Sequence, residues 1–110
     1  MRSVLTIALL GLLAGCSGTK SSVVAERKAH WEQVVKAEAP VGVAAKALRD
    51  WAHSRSLDVV DFPGSRLLIG LESVPVNSHF CKSYGISLEA EVAGDGTVSK
   101  ETVNTLGNCL

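Results

Sequence analysis

The chain has no surplus of either charge: Lys and Arg number 11 and Asp and Glu number 11 in 110 residues. A basic face for nucleic acid is therefore not suggested, and no basic run would hold anionic lipid by charge alone. Aromatic residues are scarce. Trp31, Trp51, Phe62, Phe80 and Tyr84 are all of them, so the core must come from Val, Leu, Ile and Ala with one or two Trp anchors. No apolar run reaches the roughly 20 residues of a membrane-spanning helix. The sequence contains no Cys-x-x-Cys, Gly-x-Ser-x-Gly elbow, phosphate loop or His-Glu-x-x-His pattern. The expectation is a single domain that is not an enzyme and needs no cofactor or metal.

The acid–base inventory agrees. His30, His53 and His79 are spread over a helix, a helix end and a loop. Each reads more simply as a surface or capping residue than as a ligand, and His53 suits a helix C-terminus. Glu89 and Glu91 stand on the polar face of one strand. They have the spacing for acid–base work, but a solvated sheet face is the simpler reading.

What is present begins at the N-terminus. Arg2 supplies a short positive region, and Val4 to Leu13 form an apolar run, VLTIALLGLL. It is too short to span a bilayer and has the form of a secretory signal. Small residues follow, and Leu13-Ala14-Gly15-Cys16 resembles the lipobox of bacterial lipoproteins. The alternative is an ordinary signal with an incidental Cys16. The resemblance implies a diacylglycerol on the Cys16 thiol, cleavage before Cys16 and, usually, acylation of the new amine. Two or three acyl chains hold a protein stably on a membrane. Ser17 follows the lipidated cysteine; in that family the absence of Asp there favours delivery to the outer membrane, with the domain facing the periplasm. Residues 1–15 are thus expected to be a signal peptide, 16–22 a lipidated flexible tether, SGTKSS after the cysteine, and 23–110 a small periplasmic domain.

Within that domain Val23 to Ala39 reads as a helix, rich in Ala, Glu, Lys and Gln. Trp31, Val34 and Val35 lie on one side, Glu32 with Lys36 forms an i,i+4 pair, and Ser21 or Ser22 can cap its start. Pro40 and Gly42 stop it. Val43 to His53 reads as a second helix, with Ala44, Ala47, Leu48 and Trp51 on its buried face. After Ser56 the pattern turns to strands: Leu57 to Phe62, a turn at Pro63-Gly64-Ser65, then Arg66 to Val74. Pro75 ends that strand or puts it at an edge. Tyr84 to Val92 alternates apolar and polar as a half-buried antiparallel strand does. Gly94-Asp95-Gly96 makes a hairpin, and Thr97 to Leu106 returns. The expected fold class is α+β: two N-terminal helices packed on a three- to four-stranded antiparallel meander.

With Cys16 lipidated, Cys81 and Cys109 remain. An exported pair is expected to bridge. Counting outward from Gly94-Asp95-Gly96 sets Cys81 opposite Cys109, with a one-residue shift if a bulge intervenes. A metal or redox site with His79 is the competing reading, but it lacks the ligands for a zinc shell. The segment Val76 to Ser83 reads as a loop presenting His79, Phe80 and Lys82 as a contact surface. There Phe80 is either an exposed anchor or, more simply, the cover of the disulfide. The strand Arg66 to Val74 is the second candidate surface, as an edge accepting a partner strand.

The order helix, helix, antiparallel strands, with an early Pro-x-Gly break, is similar in layout to the small lipoproteins of the outer-membrane protein assembly machine. It is also similar to the related fold of a β-lactamase-inhibiting protein. Three functions stay open. The leading expectation is a lipid-anchored envelope lipoprotein acting by protein–protein contact, accessory to a resident envelope complex. The alternative is an immunity or inhibitor lipoprotein that blocks a foreign toxin or lytic enzyme. The third is a small-ligand-binding or enzymatic domain. The partners expected are the membrane, through lipid on Cys16, and an unidentified envelope or foreign protein, with no nucleic acid.

Overall fold

Pro40 and Gly42 interrupt the helical sequence, and the way the chain closes that gap sets the fold. The computed structural model describes residues 20–76 and 80–109; the signal segment, Cys16 and the start of the tether lie outside them. Helix α1 is Lys20–Glu38 and α2 is Ala45–Ser54. Strands β1 (Asp58–Phe62), β2 (Arg66–Pro75), β3 (Cys81–Val92) and β4 (Val98–Cys109) follow. They form one antiparallel sheet in the order β1-β2-β3-β4. The fold is α+β: among the described residues, two helices precede a four-stranded meander.

Helix α1 begins before the expected Val23. Lys20, Ser21 and Ser22 are therefore within the helix, and neither serine stands ahead of it as a cap. No Pro or Gly stands in that stretch to stop a helix. Val24, Trp31, Val35 and Ala39 form a buried stripe along α1, with Val34 partly covered. The expected Glu32–Lys36 ion pair is not made; Lys46 and Asp50 on α2 supply an i,i+4 pair at 3.8 Å.

Gly42 takes a positive φ of 101°, a conformation open to glycine at little cost. It turns the backbone toward the start of β4. The Gly42 N–H donates to the Val98 carbonyl, the Val98 N–H to the Val43 carbonyl and the Ala45 N–H to the Gly96 carbonyl, each at 2.8 Å. Val43 and Ala44 are thus used in strand-like pairing, and α2 starts at Ala45, not Val43. Its buried face rotates accordingly. Leu48 and Ala52 are fully buried, Ala44 and Ala47 are exposed, and Trp51 sits half-buried on the flank.

The inner face of the sheet carries Leu67, Ile69, Leu71, Val74, Ile86, Leu88, Ala90, Val98 and Val103, all buried. Each large aliphatic side chain among them stabilises by about 1.5–3 kcal/mol relative to exposure. A bulge between Gly70 and Glu72 inserts Leu71, and it brings Glu72 opposite inward-facing Ile86 and onto the helix side. Between β3 and β4 two bulges cancel. Val92 faces Val98 and Cys81 faces Cys109, while the pairs from Ser83–Asn108 to Glu91–Lys100 run one residue out of that count.

Candidate contact surfaces

The disulfide joins Cys81 and Cys109 at the open end of the β3–β4 hairpin. The Tyr84 hydroxyl donates to Cys81 Sγ at 3.8 Å. The Tyr84 ring lies where a side chain at residue 107 would stand: a Cβ on Gly107 would fall 2.8 Å from Cys109 Sγ and 3.1 Å from Tyr84 Cε1. Glycine is required there for close approach, not for its φ. Of the expected contact trio, His79 lies outside the described residues, Phe80 is 72% exposed, and Lys82 is exposed within β3. Residues 81–83 are strand rather than loop, because the ladder to β4 continues as far as the disulfide. Cys16, the expected lipidation site, also lies outside the described residues.

The paired carboxylates read from the sequence each take a basic neighbour. Glu89 accepts from Arg66 at 3.0 Å, and Glu91 pairs with Lys100 at 3.8 Å. His30 meets the edge of Trp31, ring centroids 5.7 Å apart, and His53 is exposed in the last turn of α2.

Two polar clusters on the helix side went unread in the sequence. In the first, Glu72 Oε1 accepts from Arg27 Nη2 at 2.8 Å, Arg27 Nε at 3.0 Å and the buried Trp31 indole at 2.7 Å. In the second, Glu38 Oε1 accepts from Arg55 Nη2 at 2.6 Å and from the Trp51 indole at 3.0 Å. The Arg55 guanidinium lies over both Trp31 and Trp51, 5.8 and 5.5 Å from the ring centroids. The bonds from Arg27 hold the Glu72 carboxyl below its ordinary range, with the Trp31 bond adding to them against desolvation. Arg55 and then Trp51 do the same for Glu38. A buried indole N–H needs an acceptor; that was the available signal, though it could not name which acid.

A groove of about 610 Å³ runs between α1 and β4. Val35, Pro40, Val41 and Val103 give it apolar walls, and Lys28, Glu32 and Lys36 line it from α1. Glu101, opposite inward-facing Ala90, stands in it half-buried. Its Oε2 is closed to water and has no hydrogen-bond partner among the described residues. Loss of solvent pushes the Glu101 carboxyl up to about 7. Neither lysine comes within ion-pair distance of it: among the described residues the ion pairs of Glu and Asp involve other partners.

The groove borders a sheet edge. β4 is the last strand of the sheet, and its outer side is covered by residues 42–45 only as far as Val98. From Ser99 to Cys109 no strand lies on its outer side among the described residues. β2, expected as an edge, is instead interior from Arg66 to Gly70, where β1 pairs with it; only its last part, Leu71–Pro75, extends past β1. On the outer sheet face a shallow trough of about 680 Å³ includes Leu68, Gly70, Gly85, Ser87 and Leu106 in its lining. Leu106, on β4, is 78% exposed.

Among the described residues no three His, Cys, Asp or Glu side chains stand close enough to share a metal ion, and no helix is long and apolar enough to cross a membrane. No protein-family model, curated protein or solved structure matches the chain.

Proposed function

We propose that this chain is the precursor of a bacterial envelope lipoprotein, held on the outer membrane by lipid on Cys16, whose domain works by protein–protein contact as an accessory to a resident envelope complex. The anchor rests on Leu13-Ala14-Gly15-Cys16 behind its apolar run. The contact role rests on one observation above all. Among the described residues β4 is a sheet edge left open beyond Val98, and it carries Leu106, the most exposed large apolar side chain described. Exposed strand edges with apolar side chains are where other chains add. Phe80, next to the disulfide that ties the end of β4 to β3, extends the same end of the molecule.

Two experiments test this. The intact mass of the mature protein should show diacylglyceryl on Cys16 with residues 1–15 removed, and Cys16→Ala should stay uncut. Affinity capture from detergent-solubilised native envelope should return a stoichiometric partner with wild type and lose it with Leu106→Asp, whose circular dichroism should match wild type. Capture of the same proteins by both forms would refute contact through β4. Capture of nothing would move the reading to a partner from outside the cell, the immunity or inhibitor alternative.

A further inference from the structure

We propose that the open edge of β4 takes up an extended peptide segment of the partner, and that the groove between α1 and β4 selects a lysine or arginine of that segment through Glu101. The inference rests on the contact reading above and names the chemistry that contact would recognise. A strand added beside β4 gains main-chain hydrogen bonds along Ser99 to Cys109, and its alternate side chains point to the helix side. There they meet the groove. Val35, Val41, Pro40 and Val103 accept the aliphatic stem of a long side chain, which buries its methylenes while its charged head finds a polar partner.

That partner is Glu101. Among the groove's charged groups it alone has an oxygen that is both shut off from water and unbonded. Leaving a buried acceptor unsatisfied is costly, so a donor delivered to it recovers more than one delivered to a hydrated group. Lys28, Glu32 and Lys36 are on α1, and the first and last of these supply the groove's positive charge. Pro40, Val41, Thr102, Val103 and Asn104 add no charge, nor does Ala90 across the ladder. Lys36 is exposed and Lys28 half-buried, and neither is cut off from water as Glu101 Oε2 is; a basic partner residue supplies the bond that oxygen lacks once the carboxyl turns toward the open groove. Charge complementarity at the buried point therefore favours the basic side chain.

The probe is a short amidated peptide of alternating Thr and Val with one central Lys, and a twin with norleucine in place of that Lys. Binding to the full chain in detergent is followed by fluorescence anisotropy at pH 8 and pH 6. The Lys peptide should bind wild type about tenfold more tightly than its twin at pH 8. The gap should shrink at pH 6, where the Glu101 carboxyl, pushed up to about 7, is mostly protonated. In Glu101→Gln, an isosteric change, the gap should close at both pH values. Amide resonances of Ser99 to Asn104 should shift on binding. Equal binding of both peptides to wild type would overturn selection by Glu101 and leave the contact reading intact. Binding of neither would overturn uptake of a strand at this edge. The contact reading itself is decided separately, by the envelope capture.

Discussion

Glu101→Gln changes almost no volume and removes one ionisation from a site that disfavours charge, so its effect on stability can be worked out in advance. The unfolded chain holds this carboxyl near its ordinary value of 4.5, and the folded protein holds it near 7. Each unit of difference corresponds to 1.36 kcal/mol. Taken whole, the shift would be worth about 3 kcal/mol, but the residue is only half-buried and water screens part of it, leaving about 1–2 kcal/mol. The native state keeps the proton to higher pH than the unfolded state does. Between about pH 4.5 and 7 it therefore binds more protons, and stability falls as pH rises. The loss is complete above pH 7. Glu101→Gln should accordingly be more stable than wild type by about 1–2 kcal/mol at pH 8, and the advantage should vanish toward pH 4.5. Urea unfolding followed by tryptophan fluorescence, repeated at half-unit steps from pH 4.5 to 8, gives the difference curve directly. Glu38, Asp61, Glu72 and Asp95 are all held low by their partners. Their contribution is lost on the acid side and is common to both proteins, so it cancels. Parallel curves for wild type and Glu101→Gln between pH 5 and 8 would refute the reasoning, as would a variant less stable at pH 8.

Three further outcomes are expected. Removing the disulfide as Cys81→Ala/Cys109→Ala frees a loop whose ends are 28 residues apart, which the chain-entropy treatment values at about 3–4 kcal/mol; a loss under about 1 kcal/mol in equilibrium unfolding would mean the unfolded chain is already constrained there. Gly107→Ala forces a Cβ against Cys109 Sγ and the Tyr84 ring and should cost about 1–3 kcal/mol, whereas Gly85→Ala, whose Cβ meets only the Leu106 carbonyl oxygen at 3.8 Å, should be near neutral; equal melting temperatures for the two would refute the close-packing argument. Glu72→Ala leaves the buried Trp31 indole and Arg27 without their shared acceptor and should cost about 2 kcal/mol at pH 7, with a red-shifted tryptophan emission. Because Arg27 holds the Glu72 carboxyl low, that contribution is present above pH 4.5 and is lost as the pH falls through its folded value; a deficit unchanged at pH 3 would count against it.

The sheet was legible in the sequence because alternation writes one face directly: Ile86, Leu88 and Ala90 are buried as the period of two requires. The helix order and the hairpin at Gly94-Asp95-Gly96 were legible for similar reasons, since Pro40, Gly42 and the glycines mark where regular structure must stop. What failed to show was set by backbone pairing between distant segments. The bonds from Gly42, Val43 and Ala45 to residues 96–98 rotate α2 by about one position, and no local pattern in Val43 to His53 carries that information. The bulge that turns Glu72 toward Arg27 and Trp31 is equally silent, because Leu71 and Glu72 in sequence look like ordinary in-and-out neighbours. Glu101 was hidden by its company: in the stretch Val98-Ser99-Lys100-Glu101-Thr102 it reads as a solvated charge, and only the position of α1 above β4 takes water away from it.

The unequal treatment of the two sheet edges favours β4 as the working surface. Proteins guard exposed edges by keeping them short, charged, bulged, proline-capped or covered. β1 is five residues long, carries Asp58 and Asp61, and is tied to α2 through the Arg49–Asp61 pair. The part of β2 that outruns β1 contains the bulge at Leu71 and ends at Pro75. β4 is twelve residues long, and its cover and its own bulge both lie at the Val98 end. Beyond that point it has no proline, and the charges at Lys100 and Glu101 are the last it carries. The disulfide pins its far end to β3 instead of covering it. An edge this long and this bare is an association hazard in a free protein unless something regularly occupies it. The groove, where Glu101 Oε2 is closed to water and has no partner among the described residues, opens beside that stretch rather than beside the guarded edge. If occupancy by a partner is what keeps the edge safe, the isolated chain should self-associate through β4 at high concentration. The effect should weaken when a basic strand peptide is added, and be measurable as a fall in sedimentation coefficient; indifference of the sedimentation profile to the peptide would separate edge exposure from partner recognition.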